Sequence, residues 1–207
     1  MPRILLHTCC GPCTLFPARR LKSSGWQVHG FFYNPNIQPY QEFCKRLDAL
    51  RAVSDHLALE LIVREDYDLE EFLRQAVFRE SRRCIFCYRQ RIDETARLAR
   101  KSRFDAFSTT LLYSRMQQHD LIRSLAEEAS SHWSIPFQYE DFRVGWTEGQ
   151  NEARNLGIYR QAYCGCIYSE RDRFEKVRTA RSKTAQNQSR PPKRSAQLTQ
   201  GRSPRSA

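Results

Sequence analysis

An α/β fold, a parallel sheet sandwiched by helices, is the expectation for this chain, and three observations carry it. The apolar run Ile4-Leu5-Leu6 leads through a short turn to Pro12, a residue suited to the first turn of a helix. A second apolar and aromatic run, residues 28–33, follows that helix after Gly25. Strand-like and helix-like stretches then keep alternating, which calls for parallel pairing through right-handed crossovers.

Taken in order, residues 4–6 read as a buried strand, 14–24 as a helix closed by Gly25, and 28–33 as a second strand. Asn34-Pro35-Asn36 is a loop. Tyr40, Phe43, Leu47, Leu50 and Val53 recur at spacings of three and four, so 39–56 is helical. Residues 59–63 make a third strand, and Asp68-Leu69-Glu70-Glu71 opens another helix with acids in its first turn. A helix from Cys84 to about Arg100, a strand at 104–108 ending beside Thr109 and Thr110, a helix at 117–131 and an extended run at 136–139 complete the series.

Composition divides the chain. Nine of its 34 Lys and Arg lie at position 176 or beyond, where there is no acid, so residues 1–175 are nearly neutral with 25 basic against 23 acidic side chains. Residues 1–175 are expected to form one catalytic domain. The segment 176–207, rich in Ser, Thr, Gln and Pro, is expected to be a basic disordered tail, because it lacks the apolar surface to offset its ordering entropy. Such a tail can hold polyanions by counterion release. Nothing in the chain approaches the roughly 20 apolar residues of a membrane span, so a cytoplasmic protein with no membrane partner is expected.

Eight cysteines in a reducing compartment point to metal or redox work more than to structural disulfides. They stand at 9, 10, 13, 44, 84, 87, 164 and 166. Cys9, Cys10 and Cys13 fall on a strand-to-helix turn, at the sheet edge where open α/β folds bind ligands and where a helix amino terminus favours thiolate. Cys84 and Cys87 lie one helical turn apart. Cys9, Cys10, Cys84 and Cys87 would make the four thiolates of an iron–sulfur cluster, with zinc as the rival ion. Cys10-Gly11-Pro12-Cys13 also spells a thioredoxin-like dithiol motif, and Cys13 is otherwise a spare thiol or alternative ligand. Cys164-Gly165-Cys166 suits a strained, easily reduced pair or a metal. Cys44 reads as a buried free thiol. No glycine-rich phosphate loop is present, so ATP is not expected.

Several stretches together resemble the epoxyqueuosine reductase family QueH. They are His7-Thr8-Cys9-Cys10-Gly11-Pro12-Cys13, Tyr33-Asn34-Pro35-Asn36-Ile37, Arg83-Cys84 with Cys87-Tyr88, and Phe107-Ser108-Thr109-Thr110-Leu111-Leu112. Gln118-His119, Asp141-Phe142-Arg143 and the run from Leu156 to Glu170 extend the resemblance. Ser114-Arg115-Met116-Gln117 departs from the Ser-Pro-Tyr-Gln-like turn expected there, so no role is carried onto those side chains.

The resemblance implies a fold like the adenine-nucleotide α-hydrolases (the HUP fold), with the metal site at the carboxyl edge of the sheet. It implies a [4Fe-4S] cluster on Cys9, Cys10, Cys84 and Cys87, a redox-active Cys164–Cys166 pair, and no cobalamin. A second mononuclear iron beside the cluster, or the pair itself serving as metal ligands, stays open. The implied reaction removes the epoxide oxygen of epoxyqueuosine in a tRNA anticodon loop, with electrons from an unidentified donor. Asp141, Tyr163 and His7 are candidate acids or positioning groups. Tyr33, Asn34, Asn36, Arg83, Tyr88, Arg143, Tyr159 and Arg160 are candidate substrate contacts. A zinc-bound RNA-binding module and a thioredoxin-like oxidoreductase are the alternatives.

Overall fold

A computed structural model describes residues 1–188. Four parallel strands form one sheet: β1 (Arg3–Thr8), β2 (Gln27–Phe32), β3 (Glu60–Val63) and β4 (Ala106–Thr109), in the order β3-β2-β1-β4. Seven helices accompany them: α1 (Gly11–Ser23), α2 (Tyr40–Leu57), α3 (Leu69–Ala76), α4 (Arg83–Lys101), α5 (His119–Trp133), α6 (Trp146–Asn155) and α7 (Ile167–Gln188). The expected α/β architecture is therefore present. Its first four strands fall within two residues of their predicted bounds, and the extended run at 136–139 pairs with β4 only through one bridge, Phe107 to Phe137.

β1 sits at the centre because Ile4, Leu5 and Leu6 are apolar without interruption, which suits a strand covered on both faces. The outer strand β3 alternates between exposed and half-buried positions. α1 packs on α2, and α4 on α5. These are the pairs expected for two opposite faces when right-handed crossovers run outward from β1 to β3 and then return to β4. The order reverses between β1 and β4, and in open sheets that reversal opens a crevice at the carboxyl ends of the strands.

Residues from Met1 to Arg171 form one compact unit and a second begins at Asp172. Two readings change. α6 and the start of α7 were not foreseen, and α7 continues past Lys176 to Gln188 where no structure was expected. Its Arg, Lys, Ala and Gln residues are good helix formers, so a helix once begun extends through them. The rest of the expected tail lies outside the described residues. Among the described residues no helix is long and apolar enough to cross a membrane.

Candidate metal centre

β1 delivers the first thiols to the crevice. Cys9 follows Thr8, its amide donates to Thr110 Oγ1 at 3.2 Å, and Thr110 follows β4, so the two strands flanking the reversal are tied together there. Cys10 caps α1 in an extended conformation, but its thiol makes no capping bond and stays free to face the site. Gly11 is required because a Cβ there would lie 2.5 Å from the Ala49 carbonyl oxygen of α2. Cys9, Cys10 and Cys13 bring their sulfurs within 4.8 Å of one another. The Cys13 sulfur thus lies with the other two, where an alternative ligand would stand.

The three thiols divide their protons unequally. Hydrogen bonds from Cys10 and Cys13 hold Cys9 well below the usual thiol range. Burial pushes Cys10 up, and its hydrogen bonds to the neighbouring thiols push Cys13 up.

α4 supplies Cys84 and Cys87, both pushed up by burial, Cys87 to about 12. Arg91, one turn further along, is 2% exposed and donates to the Cys87 carbonyl at 2.9 Å and to its sulfur at 3.1 Å. Its charge faces Cys87, Cys164 and Cys9, one thiol from each of the three sequence clusters. No carboxylate pairs with it among the described residues.

The loop carrying Cys164 and Cys166 is held from α2. Buried Arg46 donates to the carbonyls of Cys164 at 2.7 Å and Tyr163 at 3.0 Å, and its Nε pairs with Glu42 at 2.7 Å. Gln38 donates its amide to the Gly165 carbonyl at 2.9 Å. Gly165 has φ +150, and a Cβ there would crowd Asn36 and Ile37. Gln117 donates to the Cys164 sulfur at 3.1 Å and accepts from Tyr88 at 2.6 Å. Gln161 donates to Cys10 at 2.9 Å. All eight cysteines are free thiols. Cys44 is half-buried beside the α2 cluster, apart from the centre.

Three candidate acids have other employment. Asp141 receives both Arg143 nitrogens, which hold its carboxyl down at about 2, so it stays ionised at neutral pH and has no proton to give. Tyr163 donates its hydroxyl to the Gln38 carbonyl at 2.6 Å, and burial raises it to about 12. His7 has both nitrogens occupied, by Thr109 at 3.0 Å and the Tyr33 carbonyl at 3.2 Å, and burial lowers it to about 4. A carbonyl can only accept, so neutral His7 carries its proton on Nε2.

The candidate substrate contacts scatter by depth. Asn34, Asn36 and Tyr88 are buried, Asn34 bonding the Thr8 carbonyl and Asn36 leaving both amide atoms without a partner beside Gly165. Tyr33 lies half-buried under Arg64. Arg83 bonds the Glu80 carbonyl, Arg160 meets Gln150, and Tyr159 donates to Glu42. Arg46, Arg91, Thr110, Gln117 and Gln161 were missed by sequence reasoning. The two arginines leave one trace, since each interrupts the apolar stripe of a helix; the glutamines leave none.

A metal–thiolate centre fits this donor set, because bound thiolates carry the negative charge that buried Arg91 otherwise lacks, and an unpaired buried charge is costly. Fold and site together define an α/β protein with a cysteine-lined centre at the carboxyl edge of its sheet. The profile described as "Epoxyqueuosine reductase QueH" matches residues 4–172. Proteins of that name from Dehalococcoides mccartyi and Thermotoga maritima are each 34% identical, over 84% and 85% of this chain and 96% and 94% of their own. The chain belongs to the epoxyqueuosine reductase family QueH and is an oxidoreductase. A predicted subunit of tRNA methyltransferase from Methanocaldococcus jannaschii shares the fold, at 12% identity and a TM-score of 0.51 over 74% of this chain and 75% of that one.

Proposed function

We propose that this chain converts epoxyqueuosine in tRNA to queuosine using a [4Fe-4S] cluster held by Cys9, Cys10, Cys84 and Cys87 together with a Cys164–Cys166 dithiol. The observation that carries the cluster is Arg91, a buried cation facing thiols of all three cysteine clusters with no carboxylate beside it among the described residues. When bound, such a cluster supplies single electrons and an exposed Lewis-acid iron. The dithiol holds the other currency. Oxidation of Cys164 and Cys166 to a disulfide releases two electrons and two protons, and an epoxide that takes up both becomes an alkene and water.

In this reading the chain's own residues position and tune. Arg46 and Gln38 hold the loop of Cys164, and Gln117, oriented by Tyr88, donates to its sulfur and fixes where that sulfur sits. The anticodon loop of tRNA is the partner, in the cytoplasm, with electrons restored from an external donor. The close trio Cys9, Cys10 and Cys13 favours a second arrangement, in which three thiols hold a single ion. A tetrahedral zinc site with bonds of about 2.3 Å brings its sulfurs comparably close.

Anaerobic purification with iron and sulfide analysis tests the proposal. About four irons per chain with matching sulfide support it. One zinc in a colourless protein, after attempted reconstitution, overturns it. A Cys164→Ser variant that keeps its cluster yet stops turning over supports the dithiol step, whereas full activity removes it.

A further inference from the structure

The turn between α3 and α4 contains a residue that its backbone disfavours. Val77 has φ −60 and ψ 135, Phe78 has φ +61, and the Arg79 amide donates to the Ala76 carbonyl at 3.0 Å. These values describe a type II turn, whose third position calls for glycine or asparagine because it needs positive φ. A bulky aromatic side chain there is a true outlier. Packing offers no compensation, because Phe78 is 95% exposed.

The surroundings say what such a ring can meet. Phe78, Val77, Leu73, Arg74, Arg79 and Glu70 line an open groove of about 650 Å³. Arg79 and Arg82 are exposed and make no side-chain hydrogen bond or ion pair among the described residues. Glu80 is half-buried and accepts from the Phe78 amide at 3.1 Å. The turn is also anchored to the centre: Phe72 and Ala76 of α3 pack in one cluster with Cys166, and α4 begins with Arg83 and Cys84. A presented aromatic face beside unpartnered arginines suits an unstacked base with its flanking phosphates.

We propose that the turn at residues 76–79 is an RNA contact in which Phe78 stacks on an unpaired nucleobase of the tRNA substrate while Arg79 and Arg82 meet the adjoining phosphates. This rests on the reading that tRNA is the substrate. The strain at Phe78 is then a stability cost retained for binding, which makes stability and affinity move in opposite directions.

The test uses the full-length protein with its metal centre loaded and a tRNA carrying epoxyqueuosine. Phe78→Gly should raise the melting temperature and weaken tRNA binding about tenfold, the loss expected for one stacked base. Phe78→Trp should restore affinity, with indole fluorescence that changes when tRNA is added. Arg82→Ala should lower the slope of log affinity against log salt by about 1. Wild-type affinity in Phe78→Gly overturns the proposal, as does a loss of affinity accompanied by a lower melting temperature. If the wild-type protein itself fails to bind the tRNA, the substrate reading falls with it; if it binds and reduces the tRNA and Phe78→Gly does so equally, only the stacking contact falls.

Discussion

The turn at Cys9, Cys10 and Cys13 and the loop at Cys164 and Cys166 bring thiols to one region by different means. The turn is placed by regular structure: the central strand precedes it, a helix follows it, and Gly11 lets the backbones of α1 and α2 meet. The loop has no strand or ladder behind it. It depends on bonds made by Arg46 and Gln38 to its carbonyls, and on one contact from Gln117 to its sulfur. A site that stores metal benefits from the rigidity of the first arrangement. On the proposed reading Cys164 and Cys166 pass between dithiol and disulfide, and a loop held by side-chain bonds rather than by a ladder lets their sulfurs change distance.

Arg46→Met should break this comparison most severely. It strands Glu42 and two carbonyls in a buried setting, a change expected to cost about 3–5 kcal/mol. Hydrogen exchange should show protection lost around residues 163–166 while amides of β1 and the Cys9 turn stay protected. Equal loss in both regions would show that the two are mechanically one. Gly11→Ala should do the reverse, driving α1 from α2 at a cost of about 1–3 kcal/mol in urea unfolding and disturbing Cys9, Cys10 and Cys13. The smallest effect should come from Gln117→Leu, which removes the bond to the Cys164 sulfur and the one accepted from Tyr88 and changes stability by about 1–2 kcal/mol. In metal-free protein, the alkylation rate of Cys164 should change because its sulfur loses the contact that positions it, with Cys9 alkylating as before. An unchanged rate would place the control of Cys164 elsewhere.

How much of this was legible depended on the range of the interaction. β1, β2, α1 and α2 were readable because continuous apolar strands, spaced apolar helix positions and the Pro12 and Gly25 signals are written within a few residues of one another. α6 was not, since Trp146–Asn155 carries only Gly149 and Ala153 as fully buried positions and has little stripe to read. The cysteine spacings marked the centre, yet the role of Cys13 was decided by how β1 feeds α1. Asp141 looked like an acid because its sequence neighbour Arg143 does not announce that it will close into a two-point ion pair. Gln117 lies 47 positions from Cys164, and no local pattern couples them.

By itself, then, the sequence determined the α/β class, the central strand and the three cysteine clusters, because periodicity, turn residues and motif spacing act over short stretches of chain. Only the tertiary structure decided which thiols meet and which arginines are buried against them. Those outcomes come from burial and from charges acting across elements far apart in sequence: α2 lends Arg46 to the loop of Cys164, and buried Arg91 of α4 puts its charge within reach of Cys164 and Cys9. The same holds for Phe78, an ordinary residue in the sequence that becomes an exception only once the turn gives it positive φ and no neighbours to cover it.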